Sequence, residues 1–178
     1  RSSDLYRDIL MRRPDFKLIL IPRHIERGDA VTDLARRAGF PDVIRMSAIR
    51  NGQVRQGERV IVVDVIGELF KVYSLADVVF CGGSLVPKGG QNLLEAAAWG
   101  KVVFYGPFMD DFRDERALLE AAGAGRTVRN REELSNGILG LLDHPDLLRE
   151  KGEAGRKAVA ANRGAAARYA ELIAGQLK

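Results

Sequence analysis

Short apolar runs rich in valine, isoleucine and leucine alternate along the chain with amphipathic segments of helical period. The run FKLILI at 16–21 predicts a buried strand, and GDAVTDLARRAG at 28–39 predicts the helix after it, closed by Gly39. DVIRMS at 42–47 and RVIVVDV at 59–65 predict the next two strands. The polar stretch between them, AIRNGQVRQGE, carries Asn51-Gly52 and predicts a loop or a small hairpin. Helix GELFKVYSLA (67–76), strand DVVFCGG (77–83), helix NLLEAAAWG (92–100) and strand KVVFYGP (101–107) follow. DDFRDERALLEAAGAG at 110–125 predicts a helix with acidic residues in its first turn, where they favour the helix dipole. RTVRN at 126–130 predicts a short last strand. Two or three helices, broken near Pro145 and Gly164, are expected from Glu132 to Lys178.

Continuous apolar strands that alternate with helices imply a parallel sheet covered on both faces. The expected fold is therefore α/β and Rossmann-like, three layers around a parallel sheet of about six strands. One domain is expected over 1–178. In such folds ligands bind at the carboxyl ends of the strands. The informative residues do follow strands: PRHIERG the first, IGEL the third, and GGSLVPKGGQN the fourth.

Composition narrows this picture without naming a ligand. Charged residues are 29% of the chain and no apolar stretch approaches the roughly 20 residues that span a bilayer. The chain opens at Arg1 with no signal-peptide pattern, as expected of a piece of a longer protein. Its single cysteine, Cys81, ends an apolar run and reads as a small buried residue of a reducing compartment. The formal charge of +4 is compatible with anionic ligands or an acidic membrane surface. No basic block interleaved with aromatics appears, so nucleic acid is not expected as a partner. Two histidines without a cysteine cluster make a structural zinc site improbable, and His144 reads as a helix-terminus residue.

Two familiar phosphate motifs fail. A P-loop needs lysine and Ser/Thr directly after its second glycine, but Lys88 precedes Gly89. The dinucleotide fingerprint fails because the glycines are paired. Glycines before a helix still allow a ligand close to the backbone, so the loop from Gly82 to Gly90 is either a phosphate cradle or a tight strand-to-helix joint. Asn92 and Glu95 have the spacing of a capping box, which composition favours, or of a carboxylate placed for a vicinal diol such as ribose. Arg23 offers a planar fork to a phosphate or carboxylate, and His24 a donor or proton carrier; an exposed arginine and a structural histidine are the plainer reading. Gly67 and Glu68 read first as a helix start.

Taken in order, PRH-x-ER, D-x-x-GEL, Y-x-x-ADV-x-F-x-GGSL, GG-x-N-x-LE and GP resemble the 3-deoxy-D-manno-octulosonic acid (Kdo) transferases of lipopolysaccharide assembly. The distinctive residues run from about Leu18 to Pro107, with a weaker likeness beyond. The resemblance implies the C-terminal half of a two-domain GT-B fold, the half that holds the donor nucleotide. It implies the donor CMP-Kdo and a lipid A precursor as acceptor met by an N-terminal domain; since the sequence shows no metal-ligand cluster, no metal or other cofactor is expected. It places the parent at the cytoplasmic face of the inner membrane and leaves this stretch soluble. Donor contacts fall on Pro22, Arg23 and His24, on Ile66, Gly67 and Glu68, and on Gln91, Asn92, Leu93, Leu94 and Glu95, with Glu95 suited to the ribose. Ser84, Gly89 and Gly90 would border the phosphate and the sugar acid. The catalytic base of the family is a carboxylate of the N-terminal domain, so none is assigned here.

Two residues depart from the family pattern. Gln91 stands where it has histidine and Ala96 where it has proline. Gln91 keeps hydrogen bonding but not an imidazolium charge. A GT-B half for a UDP- or GDP-sugar (a transferase or an epimerase) and a non-catalytic nucleotide-binding module are the alternatives.

Overall fold

The computed structural model describes residues 9–176, and their side chains as far as residue 162. By its internal contacts the chain divides into two compact units, Arg1–Val72 and Tyr73–Lys178. Each is built from short parallel strands and helices.

In the first unit, β1 (Leu18–Leu20), β2 (Val43–Arg45) and β3 (Val60–Val62) form a parallel sheet in the order β1-β3-β2. The central strand pairs Val60 with Leu18 on one side and with Val43 on the other. Helix α1 (Gly28–Arg37) connects β1 to β2. It presents Ala35 to a small core that includes Val60, Phe16, Leu18, Leu20 and Phe40. Gly39 takes φ +93° and closes α1 as expected, with the Phe40 N–H donating to the Ala35 carbonyl at 3.2 Å. Helix α2 (Met46–Arg50) follows β2 directly, and α3 (Leu69–Tyr73) ends at the first residue of the second unit.

In the second unit, β4 (Val78–Phe80), β5 (Val102–Tyr105) and β6 (Gly125–Thr127) form a parallel sheet in the order β4-β5-β6. Every residue of the central strand β5 is buried, which is why it reads as a continuous apolar run. Helices α4 (Leu94–Ala98), α5 (Arg113–Ala121), α6 (Arg131–Leu142) and α7 (Pro145–Gln176) complete it. Cys81, Leu93, Ala96, Ala97, Val103, Tyr105, Met109, Leu119 and Val159 form one core cluster.

Six parallel strands alternating with helices are the α/β arrangement expected, distributed over two three-stranded sheets. Two local expectations are corrected. The DVIRMS strand is shorter than expected: β2 stops at Arg45 and the helical turn α2 takes Met46–Arg50, after which 51–58 is a loop, one of the two forms expected there. Ser47 anchors that turn, because its N–H and hydroxyl both donate to Asp64. The C-terminal helix does not break at Gly164, since α7 runs unbroken to Gln176. One glycine in a helix costs only about 1 kcal/mol against alanine, and the surrounding AANRGAAARYA is rich in alanine. Pro145 opens α7 as its first residue, a place where its missing N–H has no helical partner to lose. Residues 177–178 lie outside the described residues.

Candidate functional site

Within the first unit, two segments leave the carboxyl ends of strands. After β1 come half-buried Pro22 and exposed Arg23 and His24, then a single 3-10 turn, Ile25–Arg27, that leads into α1. Arg23 makes no hydrogen bond or ion pair among the described residues, so its fork is open to a ligand. His24 is exposed, with Nδ1 at 3.6 Å from Glu26. After β3 come Ile66, which is 78% exposed and so contributes nothing to the core, and Gly67 at φ +85°. Glu68 is not the free acid of a helix start: it is ion-paired with Arg50 and lies 3.8 Å from Lys71.

Asp64, two residues before Ile66, is the first residue of the D-x-x-GEL pattern, but the motif gave it no role. Its carboxylate accepts from the Ser47 N–H at 2.9 Å, the Ser47 hydroxyl at 2.6 Å and Arg45 Nε at 2.7 Å. Burial alone pushes the carboxyl up, but the hydrogen bonds from Ser47 and Arg45 outweigh it and hold Asp64 below its ordinary value.

Within the second unit, a loop of turns leaves β4 and ends at α4. Ser84 is fully buried. Its hydroxyl donates to the Cys81 carbonyl at 2.5 Å and accepts from the Gly106 N–H at 2.7 Å. Ser84 therefore ties the loop to the end of β5, and its hydroxyl is spent on that link. Gly89 and Gly90 take φ +77° and +80°. A Cβ on Gly89 would lie 2.1 Å from Asp111 Oδ2, and one on Gly90 would lie 2.3 Å from Met109 Sδ. The atoms met are the ends of side chains, so it is the sign of φ that requires glycine at both positions. Gln91 is half-buried, and its carbonyl faces Cys81 Sγ at 3.8 Å. Burial pushes the Cys81 thiol up, which matches a packing role.

Asn92 stands one residue before the N-cap Leu93 and accepts from the Leu94 N–H at 2.9 Å, an Asx-type turn that leads into α4. Glu95 does not close a capping box; it receives the Asn92 side-chain amide at 3.3 Å. Leu93 is buried in the core and Leu94 packs against it, so their side chains anchor the segment. Helix α4 is only five residues long, so anion attraction here falls on the N–H groups of the glycine loop more than on a helix dipole. Beside Glu95 stands Tyr73, whose hydroxyl is pushed up to about 12, first by burial and then by the negative charge of Glu95. Tyr73 thus stays a neutral donor next to a carboxylate acceptor. It stands in the sequence as the first residue of the Y-x-x-ADV pattern, whereas Arg50 gave no signal and Asp111 read only as an acidic residue at a helix start.

Residues outside these segments behave plainly. His144 donates from Nδ1 to the Gly140 carbonyl at 2.9 Å, at the end of α6, as expected. A shallow cleft of about 150 Å³ between Leu10, Phe40 and Arg59 lies at the amino ends of β2 and β3, away from the loops, and carries no chemistry. Among the described residues no helix is long and apolar enough to cross a membrane.

These features define a Rossmann-like α/β protein of the kind that forms the C-terminal half of a GT-B glycosyltransferase. Its fold matches the C-terminal CMP-Kdo binding domain of WaaA from Acinetobacter baumannii, with a TM-score of 0.78, 24% identity, and coverage of 88% of this chain and 80% of that one. In sequence it is 32% identical over 169 residues to the 3-deoxy-D-manno-octulosonic acid transferase of Haemophilus influenzae, covering 94% of this chain and 39% of that protein. It is 37% identical over 137 residues to the transferase of the same name from Aquifex aeolicus, covering 77% of this chain and 36% of that protein. The chain belongs to the Kdo transferase family over the stretch it covers. It spans under two fifths of the length of these two curated relatives. No family profile matches it.

Proposed function

We propose that the 178 residues act as one donor-binding domain of a glycosyltransferase that moves Kdo from CMP-Kdo to a lipid A precursor. The observation that carries the reading is Glu95, a half-buried carboxylate that is held by Asn92 instead of being consumed in a capping box, with the neutral Tyr73 beside it. Such a carboxylate accepts hydrogen bonds from a ribose diol. Arg23, which makes no hydrogen bond or ion pair among the described residues, pairs with the phosphate in this reading, and Gly89 and Gly90 bring bare backbone to the loop, with the Asp111 carboxylate against Gly89. Pro22, His24, Ile66, Gly67 and Glu68 border the nucleotide, and Gln91 with Leu93 and Leu94 completes the segment. Ser84 enters as the tie that holds the loop.

The reaction is an inverting transfer: an acceptor hydroxyl attacks the anomeric carbon, that carbon's bond to the phosphate oxygen breaks, and CMP leaves. Arg23 stabilises the charge on the departing phosphate. No base is assigned to this chain. The acceptor-binding part and the association with the inner membrane belong to the parent protein in this reading.

Calorimetric titration of the chain with CMP, UMP and GMP tests it. CMP binds best, Arg23→Ala and Glu95→Ala each weaken it on the order of tenfold, and no Kdo is transferred by the chain alone. Tighter binding of UMP than of CMP would move the reading to a UDP-sugar enzyme. Binding of none of the three would end it.

A further inference from the structure

Asp64 lies where two of the proposed nucleotide segments take their origin. Its three acceptor contacts reach the last residue of β2, Arg45, and the first turn of α2, Ser47. Arg45 continues the chain of contacts to Asp29, in the first turn of α1. Asp64 also touches α1 directly: a Cβ on Gly28 would lie 2.8 Å from the Asp64 Cβ, so the helix starts with glycine because Asp64 occupies that space. Thr32 donates to the Gly28 carbonyl at 2.8 Å and fixes the same turn. Helix α1 begins where the segment of Arg23 and His24 ends, and Ile66 is two residues beyond Asp64.

We propose that Asp64 is a positioning residue for the donor nucleotide: through Ser47, Arg45 and Gly28 it fixes the segment at 22–27 relative to the segment at 66–68. The inference rests on the donor-binding reading above. Asp64 touches no ligand, because its carboxylate is buried and already accepts three hydrogen bonds. A buried ionic network adds little net stability over well-packed apolar residues. What it supplies is direction, since charge-assisted bonds hold each donor at one place and angle. Among the described residues Arg23 has no hydrogen bond or ion pair, and Glu68 pairs with Arg50 and lies 3.8 Å from Lys71, so neither of these ties one segment to the other.

The test uses the chain itself with Asp64→Asn, Ser47→Ala and, as a control, Val60→Ala, which trims the core of the same unit away from the network. CMP affinity is measured by calorimetry, and backbone amide resonances are recorded without ligand. Asp64→Asn weakens CMP on the order of tenfold and Ser47→Ala by about threefold, while the folded Val60→Ala protein binds as the parent does. Amide shifts in Asp64→Asn appear at both 22–27 and 66–68. A folded Asp64→Asn protein with unchanged CMP affinity overturns the inference, and should that variant not fold, unchanged affinity in Ser47→Ala does so. If the parent chain binds no CMP, the donor reading fails. The amide shifts then decide the coupling by themselves: absence of shifts at either segment overturns it.

Discussion

The charge of Glu95 reaches Tyr73, so the tyrosine reports on the state of the Glu95 carboxylate in the N-x-x-E segment. The Tyr73 hydroxyl is raised from 10.0 to about 12, by burial first and Glu95 second. Replacing Glu95 by glutamine removes the second cause and leaves the first, so the Tyr73 titration, followed by its ring carbon resonance, should fall towards 10 without reaching it. An unchanged titration would place Glu95 too far away to share a ligand with Tyr73. The sign for stability follows: the folded form holds this proton more tightly than the unfolded chain. Stability contributed by neutral Tyr73 is whole below pH 10 and is lost as pH rises towards about 12. At this scale the sequence named Glu95, because N-x-x-E is a local spacing. It could not name Asp64's partners, since Arg45 and Ser47 meet Asp64 only once the chain has folded.

The same four-residue spacing occurs again at the start of α6, and there it does form a cap. Asn130 accepts from the Glu133 N–H at 2.8 Å, and Glu133 reaches back to the Arg129 N–H at 2.9 Å. At α4 the carboxylate meets a side chain instead, so the spacing alone does not decide between cap and ligand group. Asn130→Ala should therefore lower stability by about 1 kcal/mol, read as a shift in the urea midpoint with CMP affinity unchanged. A loss of CMP binding without a loss of stability would contradict that assignment. The strands were legible because a buried parallel strand has to be apolar throughout, as β5 is. Helix α2 was not, because MSAIR is too short for a helical period and its turn is anchored by Asp64, 17 residues away from Ser47. The unbroken α7 was missed because glycine was weighted as a breaker when its cost is small against a run of alanines.

For the molecule as a whole, the division into two compact units raises the question of how a ligand registers in the stability of the chain. A ligand that binds only the folded protein stabilises it by mass action. At one hundred times its dissociation constant the gain is about 2.7 kcal/mol. For a domain of this length about 2–4 °C accompany each kcal/mol, so saturating CMP should raise the thermal midpoint by about 5–10 °C. UMP and GMP at the same concentration should give smaller shifts, and Asp64→Asn should reduce the CMP shift more than Val60→Ala does. Each unit contains strand-end segments named in the proposal, Arg23 and Glu68 in the first and Glu95 in the second, so calorimetry of Arg23→Ala and Glu95→Ala reports on them separately. If either variant keeps the full shift, its unit makes no contribution through that residue, and the donor contacts must be redrawn around the other unit.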